Sequence, residues 1–156
     1  MSMLVDVRKF GPETMPEELV EASKITKKWL RTTDNFDQYL NARTHQLPND
    51  LNATLLADFF AFIIDELNYQ EILHQYSAKL SENRKSFVVL LVAADRDWLL
   101  RQVARPDFLA RFTAFLADLN GEYYDYQSAE IEEAIAGFAA MLRRVDAQSG
   151  LVVRIG

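Results

Sequence analysis

Apolar residues recur at intervals of three and four along most of the chain, and this pattern predicts helices. Leu19, Ala22, Ile25 and Trp29 follow helical spacing behind Thr14-Met15-Pro16-Glu17, where a threonine and a glutamate three residues later form a capping-box pattern. A helix is therefore expected over about 16–31. Asp34 is placed to cap a second, short helix carrying Phe36, Tyr39 and Leu40, which must stop ahead of Leu47-Pro48. From Asp50 onward, Leu55, Leu56, Phe59, Phe60, Ile63 and Leu67 share one face, and Ile72, Leu73, Tyr76 and Leu80 continue it. Unbroken, that helix would be about 46 Å long in a domain with a radius of gyration of about 15 Å, so a break is expected near Asn68.

Phe87 to Val92 is a continuous apolar run that periodicity alone assigns neither to a buried helix nor to a buried strand. Helix is favoured because Trp98, Leu99 and Val103 prolong the stripe and strand partners are scarce. Arg105-Pro106-Asp107 then ends one helix and starts another, which carries Phe108, Leu109, Phe112, Phe115, Leu116 and Leu119 up to Asn120-Gly121. A last helix runs from Ser128 through Ile131, Ile135, Phe138, Leu142 and Val145, acidic at its start and basic at its end, as the helix dipole favours. Only the ends look strand-like. Val5 and Val7 alternate with Asp6 and Arg8, Leu151 to Ile155 is β-branched, and the two segments are expected to pair. The fold expected from the pattern is all-α: a bundle of about six helices with a helical core over about 14–149 and a minor β-ribbon from the N- and C-terminal segments. Its core should hold Trp29, Leu56, Phe59, Ile63, Leu67, Trp98, Phe112, Phe115, Ile135, Phe138 and Leu142.

Composition places this pattern in one domain over 1–156, because a chain of 156 residues with 49% hydrophobic and 26% charged residues has enough apolar surface for one core. The chain has no cysteine, which removes disulfides, thiolate metal sites and cysteine nucleophiles. Its net charge of −6 opposes the phosphate neutralisation that nucleic-acid binding requires. The longest apolar run, Phe87 to Ala94, is eight residues, where a spanning helix needs about 20. No membrane partner is expected, and with no secretory pattern at the N-terminus the chain is read as cytoplasmic.

Candidate chemistry is sparse. Glu71 and His74 have the Glu-x-x-His spacing of helical metal sites, but the one other histidine, His45, stands outside any such motif. A small helical-bundle enzyme or metal-binding protein using Glu71, His74 and His45 is the alternative reading, and no metal or other cofactor is expected. The serines lie in no nucleophile motif, and the five glycines are too scattered to cradle a phosphate.

The stretch from Asp118 to Glu133 is the most informative. It carries Asp118, Glu122, Asp125, Glu130, Glu132 and Glu133 together with Tyr123, Tyr124 and Tyr126, and no lysine or arginine lies between Arg111 and Arg143. Acids without local counter-charge make a negative field, and tyrosines are enriched at protein interfaces. The expected function is that of a non-enzymatic protein-interaction module, an inhibitor, immunity-type or adaptor protein. Its contact residues for a basic protein partner would be Asp118, Glu122, Tyr123, Tyr124, Asp125, Tyr126, Glu130 and Glu133. The basic middle of the chain, Lys79 to Arg111, adds charge complementarity within the bundle or across a homodimer.

Overall fold

The longest apolar run of the chain opens with a strand in a four-stranded sheet, and this overturns the all-α helical bundle. In the computed structural model, which describes residues 3–156, the elements in chain order are β1 (Val5–Phe10), α1 (Pro16–Ala22), β2 (Thr26–Lys28), β3 (Arg31–Thr33), α2 (Phe36–Arg43), β4 (His45–Leu47), α3 (Ala53–Asp65), α4 (His74–Arg84), β5 (Phe87–Leu91), α5 (Ala93–Val103), α6 (Phe108–Asn120), α7 (Ser128–Leu142) and β6 (Gly150–Ile155). Met1 and Ser2 lie outside the described residues. Four strands form one sheet in the order β4-β1-β6-β5, with every neighbouring pair antiparallel, while β2 and β3 form a separate hairpin. The fold is α+β.

The expected pairing of the termini is present, with Val5 opposite Ile155 and Val7 opposite Val153. It is no minor ribbon, however, because β6 is flanked on its other side by β5. Side chains alternate across this sheet into two cores. Val7, Val89, Leu91, Leu151, Val153 and Ile155 face α3, α5, α6 and α7, whereas Phe10, Val88, Leu90 and Val152 face α1, α2 and α4. A strand covered on both faces has no polar side to show, so its sequence reads as an unbroken apolar run. That is why Phe87 to Val92 carried no period of two. The stripe of Trp98, Leu99 and Val103 belongs to a second element, α5, which begins after Val92.

Gly150 opens β6 where a side chain has no room: a Cβ there would lie 2.5 Å from the Phe10 ring and 2.9 Å from the Leu91 carbonyl oxygen. At the outer edge of the sheet, α4 substitutes for a fifth strand. The Leu90 amide donates to Ser77 Oγ at 2.9 Å, the Val88 amide donates to Ser81 Oγ at 2.9 Å, and Ser81 Oγ donates back to the Val88 carbonyl at 2.9 Å. Four residues of helix rise about 6 Å and two residues of strand about 6.7 Å, so serines spaced i, i+4 match amides spaced i, i+2. An exposed edge that would otherwise recruit another strand is closed by side chains.

The first expected helix stops at Ala22, and 26–33 is the hairpin instead. Thr14 does not cap α1. Its hydroxyl donates to the Arg43 carbonyl at 3.1 Å and ties the start of α1 to the end of α2. Trp29 is consequently no core residue; it is 94% exposed in the two-residue turn of the hairpin. Leu56, Phe59, Ile63, Phe112, Phe138 and Leu142 are buried as expected, and Leu67, Trp98, Phe115 and Ile135 pack half-buried around them. The expected break falls between Asp65 and His74, with Asn68 in the left-handed region at φ 52°.

Candidate functional site

Two regions collect polar side chains beside open surface. The first is a cleft of about 470 Å³ between α3, α4 and β5. Its walls are mainly apolar, including Phe60, Ile63, Phe87 and Leu99, and Glu71 and His74 stand among its polar residues with His74 Nδ1 3.2 Å from Glu71 Oε1. The segment between α3 and α4 that forms this rim is held by one carboxylate. Asp95 lies fully buried in the first turn of α5 and accepts from the Tyr69 hydroxyl at 2.5 Å, from the Ile72 amide at 3.0 Å and from the Val92 amide at 2.9 Å. The Tyr69 ring stacks on Trp98 with centroids 3.9 Å apart. Burial, and then the hydrogen bond to Asp95, push the Tyr69 phenol above the usual tyrosine range. Asp95 is thus a structural clamp with both its oxygens engaged.

The cleft does not assemble the metal set suggested by spacing. His45 sits on β4 at one edge of the sheet, while His74 opens the helix that covers β5 at the other edge. Three interstrand spacings separate those edges, about 14 Å. Among the described residues, no group of three or more His, Cys, Asp or Glu side chains is gathered for an ion. Ser77 and Ser81 line the cleft, but both oxygens are engaged by the β5 backbone. Among the described residues, His74 has hydrogen-bonding contact with Glu71 alone.

The second region is the acidic face. A shallow groove of about 480 Å³ runs between the start of α3 and the first half of α7, lined by Asp50, Glu130 and Glu133 with Leu51, Leu55 and Gly137 among its apolar residues. A Cβ on Gly137 would stand 3.0 Å from Leu51 Cδ2, so glycine lets the Leu51 segment sit against α7. Asp58, one helical turn beyond Leu55, lies close enough to Tyr126 for its charge, after burial, to push that phenol up, with Glu130 adding to the effect. The Tyr124 and Tyr126 rings pack edge to face with centroids 6.0 Å apart and rest half-buried on the main core. Tyr123 is different, 82% exposed in the short turn after α6. Asp118 is exposed in the last turn of α6, and Glu122 and Asp125 are exposed on the connection that follows it.

Of the residues expected from sequence, the structure therefore brings Tyr124, Tyr126, Glu130 and Glu133 into one neighbourhood and adds Asp50, just ahead of α3, and Asp58 from α3. Glu132 departs from them, lining the opposite flank of α7 near Arg105 and Arg143. Asp50 and Asp58 escaped notice because no sequence spacing connects them to residue 130. The nine ion pairs of the described residues all lie elsewhere, so none of the groove carboxylates is neutralised by a lysine or arginine.

Asp58 gives this face a testable electrostatic signature. One carboxylate oxygen is buried without a hydrogen-bond partner, and burial holds the carboxyl above its usual range, partly offset by the Asn120 amide. The folded state then binds the Asp58 proton more tightly than the unfolded chain does. Its contribution to stability is full below the unfolded pKa of about 4 and is lost as pH rises through the higher folded value. Asp58→Asn, uncharged throughout, should be more stable than wild type at neutral pH by up to about 1 kcal/mol, since part of the side chain meets water. That advantage should vanish in acid. Melting temperatures at neutral and acidic pH check it, and a difference independent of pH would contradict it.

Comparison with protein-family models, with curated proteins and with solved structures finds no match to this chain.

Proposed function

We propose that this protein is a protein-interaction module, an inhibitor, immunity-type or adaptor protein, whose acidic groove face receives a basic protein. The observation that carries this reading is the set Asp50, Glu130 and Glu133, none of them in an ion pair among the described residues, around the partly apolar floor of the groove, with Asp58 nearby beside Tyr126. Among the described residues, no helix is long and apolar enough to cross a membrane. The reading takes the chain as cytoplasmic, which its cysteine-free composition favours.

The exposures of the tyrosines refine their roles. Tyr123 is the free contact residue, whereas Tyr124 and Tyr126 hold the α6–α7 connection on the core and act on binding through it. Neutralising Glu122, Asp125 and Glu130 together should slow association by roughly tenfold at low ionic strength, with the defect closing at high salt. Tyr123→Ala should instead speed dissociation, by several-fold or more if it sits at the interface centre. The experiment is capture of the partner from the host with wild-type bait, followed by association kinetics of the purified pair. Equal association rates for wild type and the triple variant at low salt would remove the acidic face from the reading.

A further inference from the structure

The hairpin Thr26–Lys28 and Arg31–Thr33 joins neither core. Every residue from Lys24 to Thr32 is exposed, and the turn presents Trp29 at 94% and Leu30 at 85% exposure. Behind that apolar tip, Lys27, Lys28 and Arg31 have no ion-pair partner among the described residues, and no acid occurs between Glu21 and Asp34. Lys28 stands directly opposite Arg31 in the ladder. Like charges facing across a strand pair are destabilising, and an anionic counter-surface would relieve them.

The hairpin is nevertheless rooted. Arg84 donates to Asp34 through two nitrogens at 2.9 Å each and to the Ser23 carbonyl at 3.2 Å, and Asn83 donates to Ser23 Oγ at 2.9 Å. Both ends of the hairpin are thereby fixed to the last turn of α4, and the Arg84 hydrogen bond holds the Asp34 carboxyl below its usual range. A loop with no function would not be expected to hold an indole in water on so fixed a base.

We propose that this hairpin is a peripheral membrane anchor: Trp29 and Leu30 enter the boundary between headgroups and acyl chains, and Lys27, Lys28 and Arg31 meet the phosphates of anionic lipids. Tryptophan and leucine beside basic residues suit that depth of a bilayer. A protein partner is less well matched to the same tip. An ordinary protein interface buries about 800 Å² on each side with complementary shape, and two side chains on a convex turn supply neither, whereas a fluid bilayer requires no matching contour. The acidity of the rest of the chain is not an obstacle. Three residues of strand span about 10 Å, slightly more than the screening length of about 8 Å at physiological ionic strength, so the hairpin can hold the acidic body back from the surface. No spanning helix is involved, and the inference is independent of the acidic groove.

The test is sedimentation of the full chain with phosphatidylcholine vesicles and with vesicles that also contain phosphatidylserine. The wild type should bind the anionic vesicles roughly tenfold or more tightly than the neutral ones, and salt should weaken the binding. Trp29→Ala with Leu30→Ala should lose roughly tenfold or more, and Lys27→Gln with Lys28→Gln and Arg31→Gln should abolish the preference for phosphatidylserine. Both variants should keep the wild-type circular dichroism and melting temperature, because the altered side chains touch neither core. Absence of binding to either vesicle, or binding undiminished by loss of Trp29 and Leu30, would overturn the proposal. So would hairpin-dependent self-association, or hairpin-dependent binding to an acidic protein, in a chain that ignores vesicles.

Discussion

Asp95→Ala should lower the free energy of unfolding by about 3–5 kcal/mol, the largest loss expected from any single polar substitution in this chain. The carboxylate is fully buried and accepts from two backbone amides and one phenol. Removing it strands three donors at once, and a buried donor without a partner costs about 1–3 kcal/mol. Position adds to the effect. Asp95 sits at the third residue of α5, where its negative charge meets the positive end of the helix and its Oδ2 caps the Val92 amide. Tyr69→Phe removes one donor and leaves the other two satisfied, so it should cost only about 1 kcal/mol. Chemical denaturation of both variants gives the comparison. Equal costs would mean that the carboxylate is not the shared anchor of the α3–α4 connection and α5.

The double replacement Ser77→Ala with Ser81→Ala should cost about 2–4 kcal/mol, because it deletes the three hydrogen bonds that join α4 to the edge of β5. Neither serine can be replaced by a backbone group, since a helix has no spare donors or acceptors along its side. The freed Val88 and Leu90 amides should also exchange their hydrogens faster than in the wild type while amides of the central β6 remain protected. Stability measured by denaturant and exchange measured residue by residue separate the two consequences. Unchanged protection at Val88 and Leu90 would show that packing of α4, rather than its serines, closes the edge.

The helices α3, α6 and α7 were legible because each lies on the protein's surface with one face on the core, and that geometry writes its period into the sequence. The sheet was illegible for the same physical reason in reverse. β5 and β6 are covered on both faces, so Val88 and Val89 are equally apolar although they point into different cores. Strand β4 has only three residues and two exposed side chains, too little for any pattern. The hairpin was hidden by coincidence of spacing, since Ile25 and Trp29 extend the stripe of α1, and its turn lacks the Asn-Gly or Gly-containing pair that marks most two-residue hairpins. Its β-branched Ile25, Thr26, Thr32 and Thr33 were the available clue.

The candidate site was legible in part. A run of acids without counter-charge is a property of local sequence, and residues 118–133 showed it. The contribution of Asp50 and Asp58 depends on α3 packing against α7, a contact between residues about 80 apart that no window reveals. The tyrosines divided in the same way: side-chain type marked all three as contact residues, but only the fold decides that Tyr124 and Tyr126 lean on the core while Tyr123 faces solvent.

A photo-cross-linking side chain placed at Tyr123, in chains made in the native host, tests most directly whether the acidic face meets a partner. Position 123 is exposed, so the probe should leave the fold intact. The expected result is a covalent adduct with one basic protein, reduced at least several-fold when Glu122, Asp125 and Glu130 are neutralised in the same chain. An adduct formed equally well without those charges, or no adduct at Tyr123 while the same probe at Lys79 captures a protein, would contradict a function centred on this face.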